Sequence, residues 1–225
     1  MEHPILFLDV LFGMVGLHIP PHVTYSWLIM AFLVGVGYLA AKPQAVVPGG
    51  GQSFFELIVG GLEEFMVDIT GEEGRAFFPY IATLFLYIWI CNLVGLIPGF
   101  FSPTANINTT LSMALCTFVF THYLGIKYHG VKYIKHFLGP IPALAPLFFP
   151  IEVVGHLARI MSLTLRLFGN IMGEDLVLAI LLMLAGAFLA PLPMMFLAIF
   201  TCTVQAFIFA LLSIMYFTGS MEEAH

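Results

Sequence analysis

The chain has 225 residues, of which 60% are hydrophobic and only 9% are charged. Soluble domains average roughly 45–50% apolar and about 25% charged residues, so this composition excludes a soluble enzyme and a disordered tail. Seven basic residues against thirteen acidic ones give a net charge of −6, which excludes a basic surface for nucleic acid. The composition predicts an all-α, polytopic membrane protein with one membrane domain across residues 1–225.

Charge-free apolar runs of about 20 residues indicate where the membrane helices lie. Residues 1–22 are predicted to form an N-terminal segment, followed by a first membrane helix over residues 23–41. Residues 52–70 then place apolar side chains at helical spacing opposite acidic ones, and Ser53 with Glu56 fits a capping box. This amphipathic pattern is typical of a helix at the membrane interface, and equally of a helix resting on the protein's own surface.

Residues 76–137 are predicted to form a helical hairpin followed by a basic segment, and residues 141–219 a pair of long helices separated at Pro191 and Pro193. About five membrane helices result. Residues 151–190 contain no proline, and as one helix they would be about 60 Å long, twice the roughly 30 Å hydrocarbon core. This penultimate helix is therefore either steeply tilted or broken near Gly169 or Gly173.

The basic side chains predict the orientation of the chain in the membrane. Five of them fall on the same side of the membrane if the first long helix runs inward: Lys42, Arg75, Lys127, Lys132 and Lys135. The positive-inside rule puts that side in the cytoplasm. The N-terminus is then outside and the C-terminus is cytoplasmic.

The long penultimate helix contains charged residues, although each charge costs about 2.5–3.5 kcal/mol at membrane depth. At about 100° per residue, one side of this helix carries Glu152, His156, Arg159, Arg166, Asn170 and Glu174. Beside them runs a stripe of small residues that allows a neighbouring helix to approach closely, made of Gly155, Ser162, Gly169 and Gly173. Asp175 falls on the opposite face, which we expect to lie toward the final helix.

An arginine stays protonated inside proteins, so Arg166 is predicted to be a fixed positive charge on an ion path. Glu152 is fourteen residues away, about 21 Å along a helix, and is too distant to neutralise it. The three cysteines lie in apolar runs without metal-ligand spacing and are interpreted as small buried side chains. The sequence predicts no catalytic residue, metal or cofactor.

Two other classes of membrane protein compete with this interpretation. A self-contained secondary transporter or ion channel would often show internal repeats, and the sequence shows none. A haem-binding oxidoreductase subunit would need histidines at matching depth in facing helices, and His122 and His156 are the candidates.

Three blocks of sequence resemble one known family. Ser162–Asn170, SLTLRLFGN, resembles the signature of subunit a of F-type ATP synthases; Gln205–Phe209, QAFIF, resembles its last helix; Pro103–Leu115, PTANINTTLSMAL, resembles its outward loop and following helix. The resemblance covers nearly the whole chain from about Tyr25 onward. It implies a non-catalytic, proton-translocating stator subunit of the F1Fo complex in a bacterial inner membrane, coupling ion flow to ATP synthesis. The implied partners are the rotating c-subunit ring, b-type peripheral-stalk subunits and membrane lipid, and the ion is H⁺ or Na⁺.

The resemblance also assigns roles to individual residues. Arg166 matches the family's essential arginine, which acts on the ring carboxylates between two half-channels, and Asn170 and Gln205 match polar positions near it. Glu152, with His156, is assigned to the cytoplasmic half-channel, and Asp175, with Glu174, to the outer one. The chain departs from the family at three positions. It has Ala198 where some members carry histidine, Asn106 where many carry aspartate, and Glu174 where a small residue is common.

Overall fold

The structure of the chain, a computed structural model, describes residues 19–40, 50–97, 99–130, 133, 145–185 and 191–221. Within these residues six α-helices follow one another: α1 (Pro21–Ala40), α2 (Gly50–Thr70), α3 (Phe78–Gly95), α4 (Ile107–His129), α5 (Ala145–Ala185) and α6 (Pro191–Met221). Short 3₁₀ turns at Glu72–Ala76 and Pro103–Ala105 precede α3 and α4. The prediction of an all-α architecture is confirmed.

Four of the described helices, α3, α4, α5 and α6, are long and apolar enough to cross a bilayer. This finding confirms the polytopic membrane class. The first predicted membrane helix, at residues 23–41, is present as α1 but is not among these four. A fifth crossing therefore stays a prediction, as does the orientation, since Lys42, Lys132 and Lys135 lie outside the described residues.

The penultimate helix, α5, is a single element that runs unbroken through Gly169 and Gly173, so the predicted alternative of a break there is wrong. It begins at Ala145 and contains Pro150 in its second turn. Its membrane candidate, Phe149–Leu184, has 36 residues and is about 54 Å long. A helix of that length exceeds the roughly 30 Å hydrocarbon core, so it must be steeply tilted to stay within it.

The core lies where α3, α4, α5 and α6 meet. α6 packs along α3 and also contacts α4 and α5, while α4 lies against α5. Each of these helices contributes a buried apolar side chain: Ile88, Ala114, Leu167 and Ile214. Polar bonds add to this packing, because Trp89 Nε1 donates to Thr203 Oγ1 at 3.0 Å. Such interhelical bonds average about 0.6 kcal/mol in membrane proteins.

The amphipathic helix α2 packs on the protein itself. Leu62 and Met66 are buried in the common core, and the Phe65 ring lies 5.0 Å from that of Phe207 on α6. The opposite side of α2 is acidic and exposed. The amphipathic prediction is therefore confirmed, whereas the predicted capping box is wrong because the helix begins at Gly50 and Ser53 lies inside it.

A buried hydrogen-bond network fixes the loop between α3 and α4. Thr104 Oγ1 donates to Asn92 Oδ1 at 2.7 Å, Ser102 Oγ donates to the Cys91 carbonyl at 3.0 Å, and the two hydroxyls lie 2.7 Å apart. Gly95 permits this contact, since a Cβ there would lie 2.6 Å from Ser102 Cβ. The turn that contains Thr104 also packs against α5, so the network places this loop beside the long helix.

The cysteines do not share one environment. Cys91 and Cys202 are buried, as expected, but Cys116 is exposed on α4. The interpretation of all three as buried residues is therefore wrong for Cys116. An apolar run alone does not reveal which side of its helix faces the core.

Candidate functional site

Arg166 lies on the open side of α5. The packed side of this helix is defined by the buried residues Ile160, Leu163, Leu167 and Ile171. Arg166 sits about 100° around the helix from Leu167 and is exposed. It makes no hydrogen bond or ion pair with any described residue. Its charge is therefore available to a group that this part of the chain does not provide.

The small-residue stripe beside Arg166 is also open. Gly155, Gly169 and Gly173 are exposed, and a Cβ at any of them would meet nothing within 4 Å. Only 11% of the apolar window of α5 is buried, against 33–39% for α3, α4 and α6. Close packing along this stripe is therefore not used by the described helices, and α5 presents it outward.

A carboxylate bridges α5 and α6 on the Ala185 side of Arg166. Cys202 Sγ on α6 lies 3.6 Å from Glu174 Oε2, and Asn170 Nδ2 donates to Glu174 Oε1 at 3.4 Å. Asp175, the next residue, is exposed, and the expectation that it lies toward the final helix stays a prediction. Glu174 lies seven residues after Leu167, on the same packed face, and Asp175 follows about 100° further around the helix.

Gln205 places a polar side chain on the buried side of α6. Its side chain is 6% exposed, and its Nε2 finds no partner among the described residues. Cys202, three residues earlier on the same face, is buried as well. Buried polar atoms are almost always hydrogen-bonded, so an amide in this position calls for a function or an ordered water. Ala198, where some family members carry histidine, is buried nearby on this helix.

A second polar cluster lies on the Ala145 side of Arg166. Glu152 Oε1 is 3.4 Å from His156 Nε2. The His156 ring lies 4.9 Å from that of His122 on α4, and Phe118 packs edge-on against both. This contact leaves no gap for a porphyrin between the two histidines, which argues against the haem alternative.

The cluster continues beyond α4 through Tyr133. His122 Nδ1 and Tyr133 Oη lie 2.7 Å apart. The tyrosine is buried, which raises the pKa of its hydroxyl above the ordinary value and keeps the phenol neutral near physiological pH. The ring packs so closely against Gly125 that a Cβ there would collide with it. The sequence analysis did not identify Tyr133. It singled out His122 only because His122 and His156 were the two histidines expected to lie deep in the membrane.

The positive end of the cluster is Arg159. Its guanidinium carbon lies 5.3 Å from the centroid of the Tyr216 ring on α6, a cation–π contact. Arg159 is one of the residues lining a small cavity between α4 and α5, which also includes Thr117, Thr121 and His156. Within the described residues no group of three histidine, cysteine or acidic side chains is placed to hold a metal ion.

Along α5, polar groups therefore occur on both sides of one exposed arginine. His156 precedes Arg166 by ten residues, about 15 Å, and Glu174 follows it by eight, about 12 Å. The first group contacts α4 and the second contacts α6. The structure thus places two separate polar groups along α5, one on each side of Arg166.

Comparison with known proteins identifies the family of the chain. Residues 23–218 match the family model described as ATP synthase A chain. The chain belongs to the ATP synthase A chain family. It is 58% identical to ATP synthase subunit a of Syntrophobacter fumaroxidans over 239 residues, and 58% identical to that of Desulfosudis oleivorans over 229 residues, each covering 100% of both chains. The resemblance inferred from the sequence blocks is thus confirmed, and this A chain is a multi-pass membrane protein.

Proposed function

We propose that the chain is the ion-translocating stator subunit of a bacterial F-type ATP synthase. Arg166 is its fixed charge, facing a ring of c subunits that carry ion-binding carboxylates. The observation that carries this proposal is the exposed Arg166, which has no partner within the described part of the chain. It lies on the least buried of the four candidate spanning helices, beside an open glycine stripe. The subunit itself is non-catalytic, and ATP chemistry belongs to other subunits of the F1Fo complex.

The physical role of Arg166 follows from its charge. A nearby cation favours the ionised form of a carboxylate, so a ring carboxylate that reaches Arg166 releases its ion. The same positive charge repels a cation moving directly between the two polar routes. Ion flow is then forced through the ring, driven by about 2.3 kcal/mol per charge for each 100 mV of membrane potential.

The two polar groups on α5 supply the proposed half-channels. Glu152 and His156 serve the cytoplasmic one. Glu174 and Asp175 serve the outer one, in which Glu174 makes the contact between helices, and Asn170 and Gln205 help to position or hydrate Arg166 beside it. The N-terminus is outside and the C-terminus cytoplasmic in the bacterial inner membrane, b-type stalk subunits hold the chain in place, and the ion is H⁺ or Na⁺.

The rival candidate is a self-contained transporter or channel. Such a protein would have to enclose its ion path among its own helices. The exposed position of Arg166 and the unfilled side of α5 favour a path completed by a second protein instead.

The experiment is ATP-driven acidification of inverted membrane vesicles that carry the assembled complex. Arg166→Ala is expected to abolish acidification while the c subunits still co-purify. The matched control is Arg75→Ala, because Arg75 is an exposed arginine whose ion pairs are with surface glutamates, worth at most about 1 kcal/mol. Retained acidification in Arg166→Ala would overturn the proposal.

A further inference from the structure

We infer that His122 and His156 form a proton-transfer pair that carries the cytoplasmic half of the path from α5 onto α4. The inference rests on the proposed function with H⁺ as the translocated ion and extends it, because it moves the mouth of this half-channel to the space between the two helices, beside Tyr133. Without the pair, the path would leave along α5 through Glu152 alone.

Each ring contacts a different titratable group, which defines the direction of proton transfer through the pair. His156 Nε2 faces Glu152 Oε1 at 3.4 Å, and His122 Nδ1 faces Tyr133 Oη at 2.7 Å. The rings meet edge to face with centroids 4.9 Å apart. Proton transfer between the rings would use the second nitrogen of each, Nδ1 of His156 and Nε2 of His122. A continuous series of titratable groups thus links α5 to the segment after α4.

The chemistry balances at each imidazole. A ring accepts a proton on one nitrogen and releases the proton on its other nitrogen, so it passes one charge and returns to its starting form after its tautomer resets. Histidine suits this step because its protonation changes between about pH 5 and 8. The titratable and charged groups that surround the pair are Glu152 and Arg159 on α5, Tyr133 after α4, and Tyr216 on α6.

Space for one water lies beside His156, on one side of the pair. The cavity lined by His156 and Arg159 has a volume of about 10 Å³, close to the minimum for one water. Thr117 and Thr121 also line it, so the water would have polar partners. Proton transfer through a single bridging water is within the reach of general acid–base groups.

Inverted vesicles carrying the whole complex test the pair directly, because their cytoplasmic side faces the medium. His122→Gln and His156→Gln are each expected to lower the initial rate of ATP-driven acidification at least about tenfold. Imidazole added to the medium is expected to restore much of that rate, and the pH profile between 5.5 and 8.5 should flatten without it. His129→Gln is the matched control, since His129 lies on α4 but outside the cluster.

Rescue by imidazole would support the pair, because a structural role cannot be replaced by a free base. Native rates in both glutamine variants would overturn it, and so would a loss that imidazole does not relieve. Arg166→Ala in the same preparation separates the two proposals. If it stops pumping while the histidine variants pump normally, the pair fails and the stator function stands; if it pumps normally, the stator function itself fails.

Discussion

The buried network beneath the α3–α4 loop allows a quantitative prediction. Thr104 is fully buried, and its hydroxyl joins Asn92 Oδ1 and Ser102 Oγ, both at 2.7 Å. Thr104→Val keeps the shape of the side chain but removes both bonds. Asn92 Nδ2 already lacks a partner among the described residues, so the variant would leave this buried amide without any described side-chain partner.

The size of the effect follows from these bonds. Leaving a buried polar group unsatisfied costs about 1–3 kcal/mol, and two side-chain bonds at the about 0.6 kcal/mol average of membrane-protein hydrogen bonds give a figure near the lower end of that range. Since about 1.4 kcal/mol is a tenfold change in an equilibrium constant, opening of the loop should become roughly 5- to 150-fold more frequent.

Thiol labelling measures this opening, because Cys91 is fully buried and its carbonyl accepts the Ser102 hydroxyl. In a background with Cys116→Ser and Cys202→Ala, a small maleimide should react with Cys91 in Thr104→Val faster by that factor. The control is Thr110→Val, whose hydroxyl donates within its own helix to the Ile107 carbonyl at 3.0 Å. A labelling rate in Thr104→Val within about twofold of native would refute the reasoning, as would equal acceleration in Thr110→Val.

Three further predictions concern the outer half-channel and the topology. Glu174→Gln should slow ATP-driven acidification more than Asp175→Asn, because Glu174 makes the contact with α6; the reverse order would show that the exposed carboxylate is the relay. Gln205→Leu should slow pumping while leaving the complex at least as stable to heat, since it removes a buried amide with no described partner for its Nε2; an unchanged pumping rate would remove Gln205 from the path. A cysteine added at the C-terminus should react with an impermeant reagent in inverted vesicles, and reaction only in right-side-out vesicles would reverse the topology.

Periodicity and composition were sufficient for most of the fold. The absence of proline from residues 151–190 predicted a very long helix, and α5 extends even further toward the N-terminus, because Pro150 is accommodated in its second turn. The division at Pro191 was correct, but the prolines lie within the first turn of α6, where a missing N–H costs little. Local rules therefore located the elements and missed their ends by a few residues.

The candidate site was only partly predictable, because a single helix does not reveal the positions of its neighbours. The angular spacing of about 100° per residue placed Arg166 and the glycine stripe on one side of α5. It did not show which other side packs against α6, because that depends on tertiary contacts. For that reason the spacing did not reveal that Glu174 contacts Cys202 on α6. It also concealed the approach of His122 to His156, two residues 34 positions apart in the sequence that helix packing brings together.

The glycine stripe on α5 has a mechanical consequence. Packed helices normally interlock, with the side-chain ridges of one set into the grooves of the other, and such interlocking resists sliding. With no side chain at Gly155, Gly169 or Gly173, this strip has little relief, while small residues still allow close approach. A helix moving across it would meet a smooth surface at nearly constant depth, with Arg166 as a raised charged point beside it. The strip would thus allow a neighbouring helix to approach closely and still slide with little resistance.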